Sequence, residues 1–384
     1  MLLNHWIAAP QKVHCSYRGV TFGHCGATTA TLPSSSSRSI STSNRKSKTC
    51  YYIKEHALEK QPSPESLKSL NIHHPPSTMA ITNVALIGAS GTLGPSVLAA
   101  LKAHPTFTPY VLNRQTSKSI YPKTRVITVP DDLDVDAVAT LLKENAIDAL
   151  VMTIAGSYVE QQKQLIDACF RADVKRVIPA EFGSCDSADE KTNELLPLMA
   201  GKKQVREYLM ETCARERPGT SGKMTWTSLV TGHFFDWGLG CGLLKLDVRA
   251  RKAYVQDGGD VKFSASNLDF IAKAVVRVLE REEETRDRLL YVHSHYVTQN
   301  EVLAALEKAT GERFEVVGQS SKEGLEVARQ KMMGGDKEAT EEVVSVQGIV
   351  ASDWMGKEGF ANGVLGLEEE DLDEVVQRVV RDMK

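Results

Sequence analysis

Residues 84 to 94 read Val-Ala-Leu-Ile-Gly-Ala-Ser-Gly-Thr-Leu-Gly, and no other stretch limits the fold of this chain so strongly. Four apolar residues run into three glycines spaced Gly-x-x-Gly-x-x-Gly, and Val97, Leu98 and Leu101 follow at helical spacing. That order predicts a buried strand, a tight turn and the start of a helix. Gly88 allows the turn, Gly91 lets the backbone approach a pyrophosphate, and Gly94 lets helix and strand pack closely. The amides and positive dipole end of the helix then face a phosphate. Pro95 suits the first helical turn, where an amide hydrogen has no internal partner. Gly88, Ser90, Gly91, Thr92, Leu93 and Gly94 are therefore the expected dinucleotide contacts.

Strands and helices alternate from this point. Tyr110–Leu112, Arg125–Val129, Ile147–Ile154 (Asp148 apart) and Val174–Ile178 read as the next four strands, with helical patterns before the last two at Val138, Leu141 and Leu142 and at Leu165, Ile166 and Cys169. This predicts an α/β, Rossmann-type doubly wound parallel sheet with helices on both faces. Right-handed crossovers would gather Gly88–Gly94, Arg114, Ala155-Gly156-Ser157 and Pro179–Gly183 at one sheet edge. Folds that take the unphosphorylated cofactor place an acid after the second strand, to hold the ribose 2′-hydroxyl. Here that position has Asn113-Arg114, with Lys118 and Lys123 nearby. A guanidinium suits a 2′-phosphate in charge and in forked geometry, so the expected cofactor is NADP(H).

The whole chain is consistent with such a protein. At 42% hydrophobic and 25% charged residues with a formal net charge of −3, its 384 residues give no basis for nucleic-acid binding. No apolar run approaches the roughly 20 residues that a membrane-spanning helix needs. Seven cysteines contain no Cys-x-x-Cys pair and suggest neither a metal site nor a complete disulfide framework. Residues 1–54 hold seven Lys or Arg and no acid, with a serine run at 34–37. That composition resembles a transit peptide, although Pro10 and Pro33 interrupt any amphipathic helix. The expected organisation is a leader over 1–78, an NADP-binding domain over 79–236 and a smaller α/β substrate-binding region over 237–384. The expected location is cytoplasmic, or mitochondrial if the leader targets, and the expected assembly a monomer or homodimer.

The Tyr-x-x-x-Lys pair of short-chain dehydrogenases is absent, since none of the ten tyrosines has lysine four residues later. The informative residues are Lys175-Arg176-Val177-Ile178-Pro179-Ala180-Glu181-Phe182-Gly183, then Lys202-Lys203-Gln204-Val205-Arg206. Thr225-Trp226-Thr227, Gly232-His233-Phe234-Phe235, Asp257-Gly258-Gly259 with Asp269, and Thr298-x-x-Glu301 continue the pattern. In these motifs, across most of residues 79–320, the chain resembles the isoflavone reductase-like and phenylcoumaran benzylic ether reductase family. That family belongs to the NmrA-like atypical short-chain group. The resemblance implies a general acid/base lysine, three residues before an aliphatic residue and arginine, which selects Lys202 over Lys203. It also implies hydride transfer from NADPH to a substrate carbon. Ala180 stands where many members have serine, and residues 190–202 diverge from the plant enzymes, so plant substrates are not implied.

A lysine beside a nicotinamide and apolar walls loses hydration, which brings its pKa toward the working range of an acid/base. Phe182 either packs against the nicotinamide or fills core, and Glu181 either pairs with a cation or meets ligand. His233, Phe234, Phe235 and Trp237 follow a sixth strand, Thr225–Val230; of these, His233 and Phe234 are the candidate substrate contacts. Ala253–Val255 and Val261–Phe263 read as a hairpin around Asp257-Gly258-Gly259-Asp260. Thr298 and Glu301 form a capping box, Gly334-Gly335 breaks a helical region, and Leu372, Val375, Val376, Val379 and Val380 line a final helix. The leading expectation is an NADPH-dependent reductase of a small aromatic molecule. The alternative is an NmrA-like regulator that senses the dinucleotide without catalysis.

Overall fold

The first half of the fold follows the strand–helix alternation of its sequence, except that no helix separates the strand ending at Arg114 from the one beginning at Arg125. In the computed structural model, which describes residues 80–217 and 222–383, the order is β1 (Asn83–Ile87), α1 (Gly94–Ala103), β2 (Thr108–Arg114), β3 (Arg125–Val129), α2 (Val135–Glu144), β4 (Ala149–Met152), α3 (Val159–Arg171), β5 (Arg176–Ile178), α4 (Glu190–Leu195), α5 (Pro197–Ala214) and β6 (Thr225–Val230). The leader expected over 1–78 lies outside the described residues. The chain continues through β7 (His233–Phe234), α6 (Phe235–Cys241), β8 (Leu246–Asp247), β9 (Lys252–Gln256), β10 (Phe263–Ser266), α7 (Leu268–Glu280), α8 (Glu282–Thr285), β11 (Arg288–Tyr291), β12 (His295–Val297), α9 (Gln299–Thr310), β13 (Glu315–Gln319), α10 (Ser321–Met333), α11 (Lys337–Val350), α12 (Asn362–Leu365) and α13 (Leu372–Asp382).

Seven strands form one sheet in the order β11-β6-β5-β4-β1-β2-β3, and every pairing in it is parallel. β1 and β4 are buried almost throughout because helices cover both faces. One face packs Val138, Leu142, Leu165, Ile166 and Leu209, from α2, α3 and α5. The other packs Val97 and Leu101 of α1 against Phe270, Ile271, Val275 and Val278 of α7. Strand order reverses between β1 and β4. Carboxyl ends on either side of such a reversal diverge and leave a crevice.

Asp148 explains why β4 starts later than its apolar run. One carboxylate oxygen accepts from the amides of Thr82 and Asn83 at 2.9 and 2.8 Å, and the other lies 2.7 Å from Lys175 Nζ. The acid thus ties the lower ends of β1 and β5 together just before β4 begins.

β11 and α7 come from beyond residue 236, yet they complete the large sheet and one of its covering layers. Two three-stranded sheets lie alongside, β12-β10-β7 and β13-β9-β8. The hairpin expected between Ala253 and Phe263 does not form, because β9 pairs with β8 and β13 while β10 pairs with β7 and β12. Asp257, Gly258 and Gly259 all have positive φ, and Asn300 Nδ2 donates to Gly258 O and Asp260 Oδ1. That turn carries the chain into a second sheet instead of back along the first. The expected Thr298 capping box is present, an arrangement worth about 1 kcal/mol. α13 buries Val375, Val376, Val379 and Val380 against α9, β9 and Phe235.

Candidate active site

The turn after β1 is built as its glycines require. Gly88 has φ +88°, and a β-carbon there would lie 2.7 Å from the backbone of Thr153 at the end of β4. One at Gly94 would lie 2.2 Å from Gly88 O. Gly91 N donates to Gly88 O at 2.9 Å, which closes the turn. Ser90, Gly91 and Thr92 are exposed, while the Leu93 side chain is buried against Val97 and its neighbours, so Leu93 offers only its backbone. α1 has no side-chain cap and no acid in its first turn. Its first amides and positive end are therefore uncompensated by the chain, as a bound pyrophosphate requires.

Arg114 ends β2 at the same sheet edge. The turn after it is fixed by Thr116, whose hydroxyl and amide donate to Asp131 Oδ1 at 2.6 and 3.2 Å. Those bonds, with a smaller contribution from the Arg114 charge, hold the Asp131 carboxyl below its ordinary pKa. A negatively charged Asp131 keeps the turn closed without neutralising Arg114 through a direct ion pair.

Ala155, Gly156 and Ser157 follow β4, and Lys202 lies over them from α5. A β-carbon on Gly156 would lie 2.5 Å from Lys202 Cε. The lysine amine donates to the backbone carbonyl of Glu181 in the loop after β5. Burial lowers the Lys202 pKa from the ordinary lysine value, against the opposing pull of Glu181 and Cys185. The glycine turn, Gly156, Glu181 and Lys202 thus come together from four chain segments around the β1–β4 crevice.

The loop after β5 is held from behind. Gln162 Oε1 of α3 accepts from Ala180 N at 3.0 Å. Glu181 is buried and pairs with a cation, Arg206 Nη1, at 3.6 Å. Phe182 has φ +29° and is buried in the apolar cluster that contains Ala89 and Leu93, against which Phe234 also packs. His233 departs from the expected substrate wall. It is only 2% exposed, its Nε2 donates to Ser345 O at 3.0 Å, and Gly348 of α11 lies against its ring. His233 therefore joins β7 to α11 and presents nothing to an open crevice.

The sequence alone assigns no role to Arg206, Asp186, Tyr291 or Lys357, which form one polar cluster behind Glu181, buried except at Lys357. Arg206 Nη2 lies 3.6 Å from Asp186 Oδ1, Tyr291 donates to Asp186 Oδ2 at 2.6 Å, and Lys357 Nζ lies 3.2 Å from the same oxygen. The one signal in the sequence is that Arg206 follows Lys202 by four residues, so both share a helical face.

Residues 81–222 match the NmrA-like family. Among curated relatives, the protein named oxidoreductase aprR of Aspergillus flavus is 29% identical over 78% of this chain and 98% of its own length. Oxidoreductase poxI of Penicillium oxalicum is 27% identical over 76% and 92%. Among solved structures, AtPrR2 with NADP+ and (+)-pinoresinol superposes with TM-score 0.62 at 19% identity, covering 78% of this chain and 99% of that one. An isoflavone reductase does so with TM-score 0.61 at 19% identity over the same shares. The binary complex of leucoanthocyanidin reductase with NADPH from Vitis vinifera gives 0.61 at 18% identity, again over 78% and 99%. At these identities the structures speak for the fold, and this chain shares it over nearly their whole length. Among the described residues no helix is long and apolar enough to cross a membrane, and no three His, Cys, Asp or Glu side chains cluster as metal ligands.

Proposed function

We propose that this chain is an NADPH-dependent reductase of a small, aromatic organic molecule, with Lys202 as its general acid/base. The observation that carries the proposal is the desolvated Lys202 amine, fixed on Glu181 O beside Gly156 in the β1–β4 crevice. A dinucleotide sensor needs the glycine cradle but has no need of a desolvated lysine there. The names of the curated fungal relatives point the same way.

The cofactor fit rests on the chain itself. Positive φ at Gly88, the space a β-carbon would fill at Gly88 and Gly94, and the uncapped start of α1 suit a pyrophosphate. In this reading residues 79–236 hold most of the cofactor. Gly88, Ser90, Gly91, Thr92, Leu93 and Gly94 take the diphosphate, Arg114 takes the 2′-phosphate, and Ala155, Gly156, Ser157 and Phe182 line the nicotinamide side. Bound NADPH supplies a hydride. The Lys202 ammonium supplies the accompanying proton from Nζ to a substrate oxygen that gains negative charge, and Glu181 O keeps the amine from swinging into solvent. A pKa lowered by burial makes that proton easier to give near neutrality. Phe234 helps exclude water at the mouth, and residues 237–384 shape the substrate side.

The test is a screen of enones, quinones and aryl ethers for NADPH oxidation by the parent protein and by Lys202→Ala. The variant should lose about 100-fold or more in turnover while cofactor affinity stays within about twofold. Undiminished turnover in Lys202→Ala would remove the lysine from the mechanism.

A further inference from the structure

Lys202 and Arg206 sit one turn apart on α5, and both engage the same residue. Lys202 donates to the backbone carbonyl of Glu181, while Arg206 Nη1 lies 3.6 Å from its carboxylate. Arg206 and Glu181 are 6% and 2% exposed, so the pair is sealed from water. The other arm of the guanidinium lies 3.6 Å from Asp186, which is anchored in turn by Tyr291, Lys357 and the amide of Ala188. Between them, the two α5 side chains hold a Glu181-Phe182 step in which Phe182 has positive φ.

We infer that Arg206 is a positioning residue for Lys202: it occupies the Glu181 carboxylate, so that the lysine amine is held by the Glu181 carbonyl alone and stays directed to the crevice.

Charge balance explains why this matters. Glu181 and Asp186 are two buried acids, and Arg206 is the cation that touches both. Lys357 reaches only Asp186. Without Arg206, the Lys202 ammonium, on which the Glu181 charge already acts, can pair with that carboxylate, and such an ion pair would draw the amine off its carbonyl partner. Cys185, the other ionisable group that acts on Lys202, is neutral near pH 7 because burial pushes its thiol up to about 12. The 3.6 Å separations exceed a hydrogen bond, and Arg206 Nη1 and Glu181 Oε1 make none among the described residues. The pair therefore acts through charge, and its loss falls on the nearest other charge.

This inference rests on the reading of Lys202 as the acid/base, but its test does not depend on turnover. Lysine labelling by an amine-reactive reagent, followed by mass spectrometry across a pH series, gives the protonation midpoint of Lys202 directly. Arg206→Gln should raise that midpoint by about one pH unit, a tenfold gain in proton affinity. In a Glu181→Gln background the same Arg206 substitution should leave the midpoint nearly unchanged, because the group through which it acts is gone. An unshifted midpoint in Arg206→Gln, or an equal shift in both backgrounds, would overturn the inference. Should Arg206→Gln not fold, Arg206→Lys is read instead, since it keeps the charge but cannot span both carboxylates. A raised midpoint in that variant supports the positioning role, and a midpoint equal to the parent's overturns it. Failure of Lys202 as acid/base would show separately, as Lys202→Ala turning over normally.

Discussion

Gly156 and Lys202 pack so closely that a β-carbon at residue 156 would lie 2.5 Å from Cε of the lysine, 3.2 Å from Cγ and 3.4 Å from Cδ. All three neighbours belong to one flexible side chain, and Gly156 does not have a positive φ. Gly156→Ala should therefore fold normally and displace Lys202. The expected result is a melting temperature near that of the parent with turnover reduced about tenfold or more, because a misplacement of about 1 Å in a catalytic group is that costly. Parallel thermal melts and kcat measurements separate the two effects. Unchanged kcat would mean that the path of the lysine past Gly156 does not matter to the reaction.

Arg114 closes β2 where an acid would mark the unphosphorylated cofactor. Charge-assisted hydrogen bonds to a phosphate are worth about 1.5–3 kcal/mol each, or roughly 10- to 100-fold in affinity. The parent should bind NADPH more tightly than NADH, and Arg114→Ala should erase most of that difference while leaving NADH affinity in place. Fluorescence titration of the two cofactors against both proteins measures this. Equal affinities in the parent would assign Arg114 another role.

Two glycines of one turn should respond differently to the same substitution. At Gly94 a methyl group would meet Gly88 O at 2.2 Å and Ala89 Cα at 2.6 Å, all backbone that cannot yield without opening the turn. At Gly91 the nearest atom is 3.3 Å away, and φ is not positive. Gly94→Ala should cost about 1–3 kcal/mol, the usual range for overpacking, while Gly91→Ala should stay within about 0.5 kcal/mol of the parent. Urea midpoints report both, and similar losses at the two sites would contradict the packing argument.

Much of this fold was legible because its information is local. The glycine spacing and the strand–helix alternation point to the parallel sheet, and β3 and β6 have the bounds that their sequence patterns predict. Features that depend on distant partners were not legible. Asp148 interrupts an apolar run for a reason that appears only when the starts of β1 and β5 lie beside it. The 257–260 turn has hairpin composition, yet Asn300 directs it into another sheet. The site divides in the same way. Lys202 and the cradle were named from motifs, whereas the Arg206–Asp186–Tyr291–Lys357 cluster draws on segments up to 171 residues apart. His233 reads as an aromatic wall until Ser345, 112 residues on, takes its ring nitrogen.

That burial of His233 makes stability depend on pH in a definite direction. The ring sits 2% exposed against Gly348, and burial, only partly offset by the bond to Ser345, lowers its pKa from 6.5 to about 4. Between those values the unfolded chain binds a proton that the folded chain refuses. The contribution of this histidine is therefore complete above pH 6.5 and declines as pH falls toward 4. From pH 7 to pH 5 it should cost about 2 kcal/mol. His295, which burial likewise lowers to about 4, acts with the same sign. Urea unfolding at the two pH values should show the loss in the parent and a smaller one in His233→Gln, which is less stable at pH 7 but carries no titrating ring at that site. An equal pH dependence in parent and variant would show that His233 accepts its proton in the folded state after all.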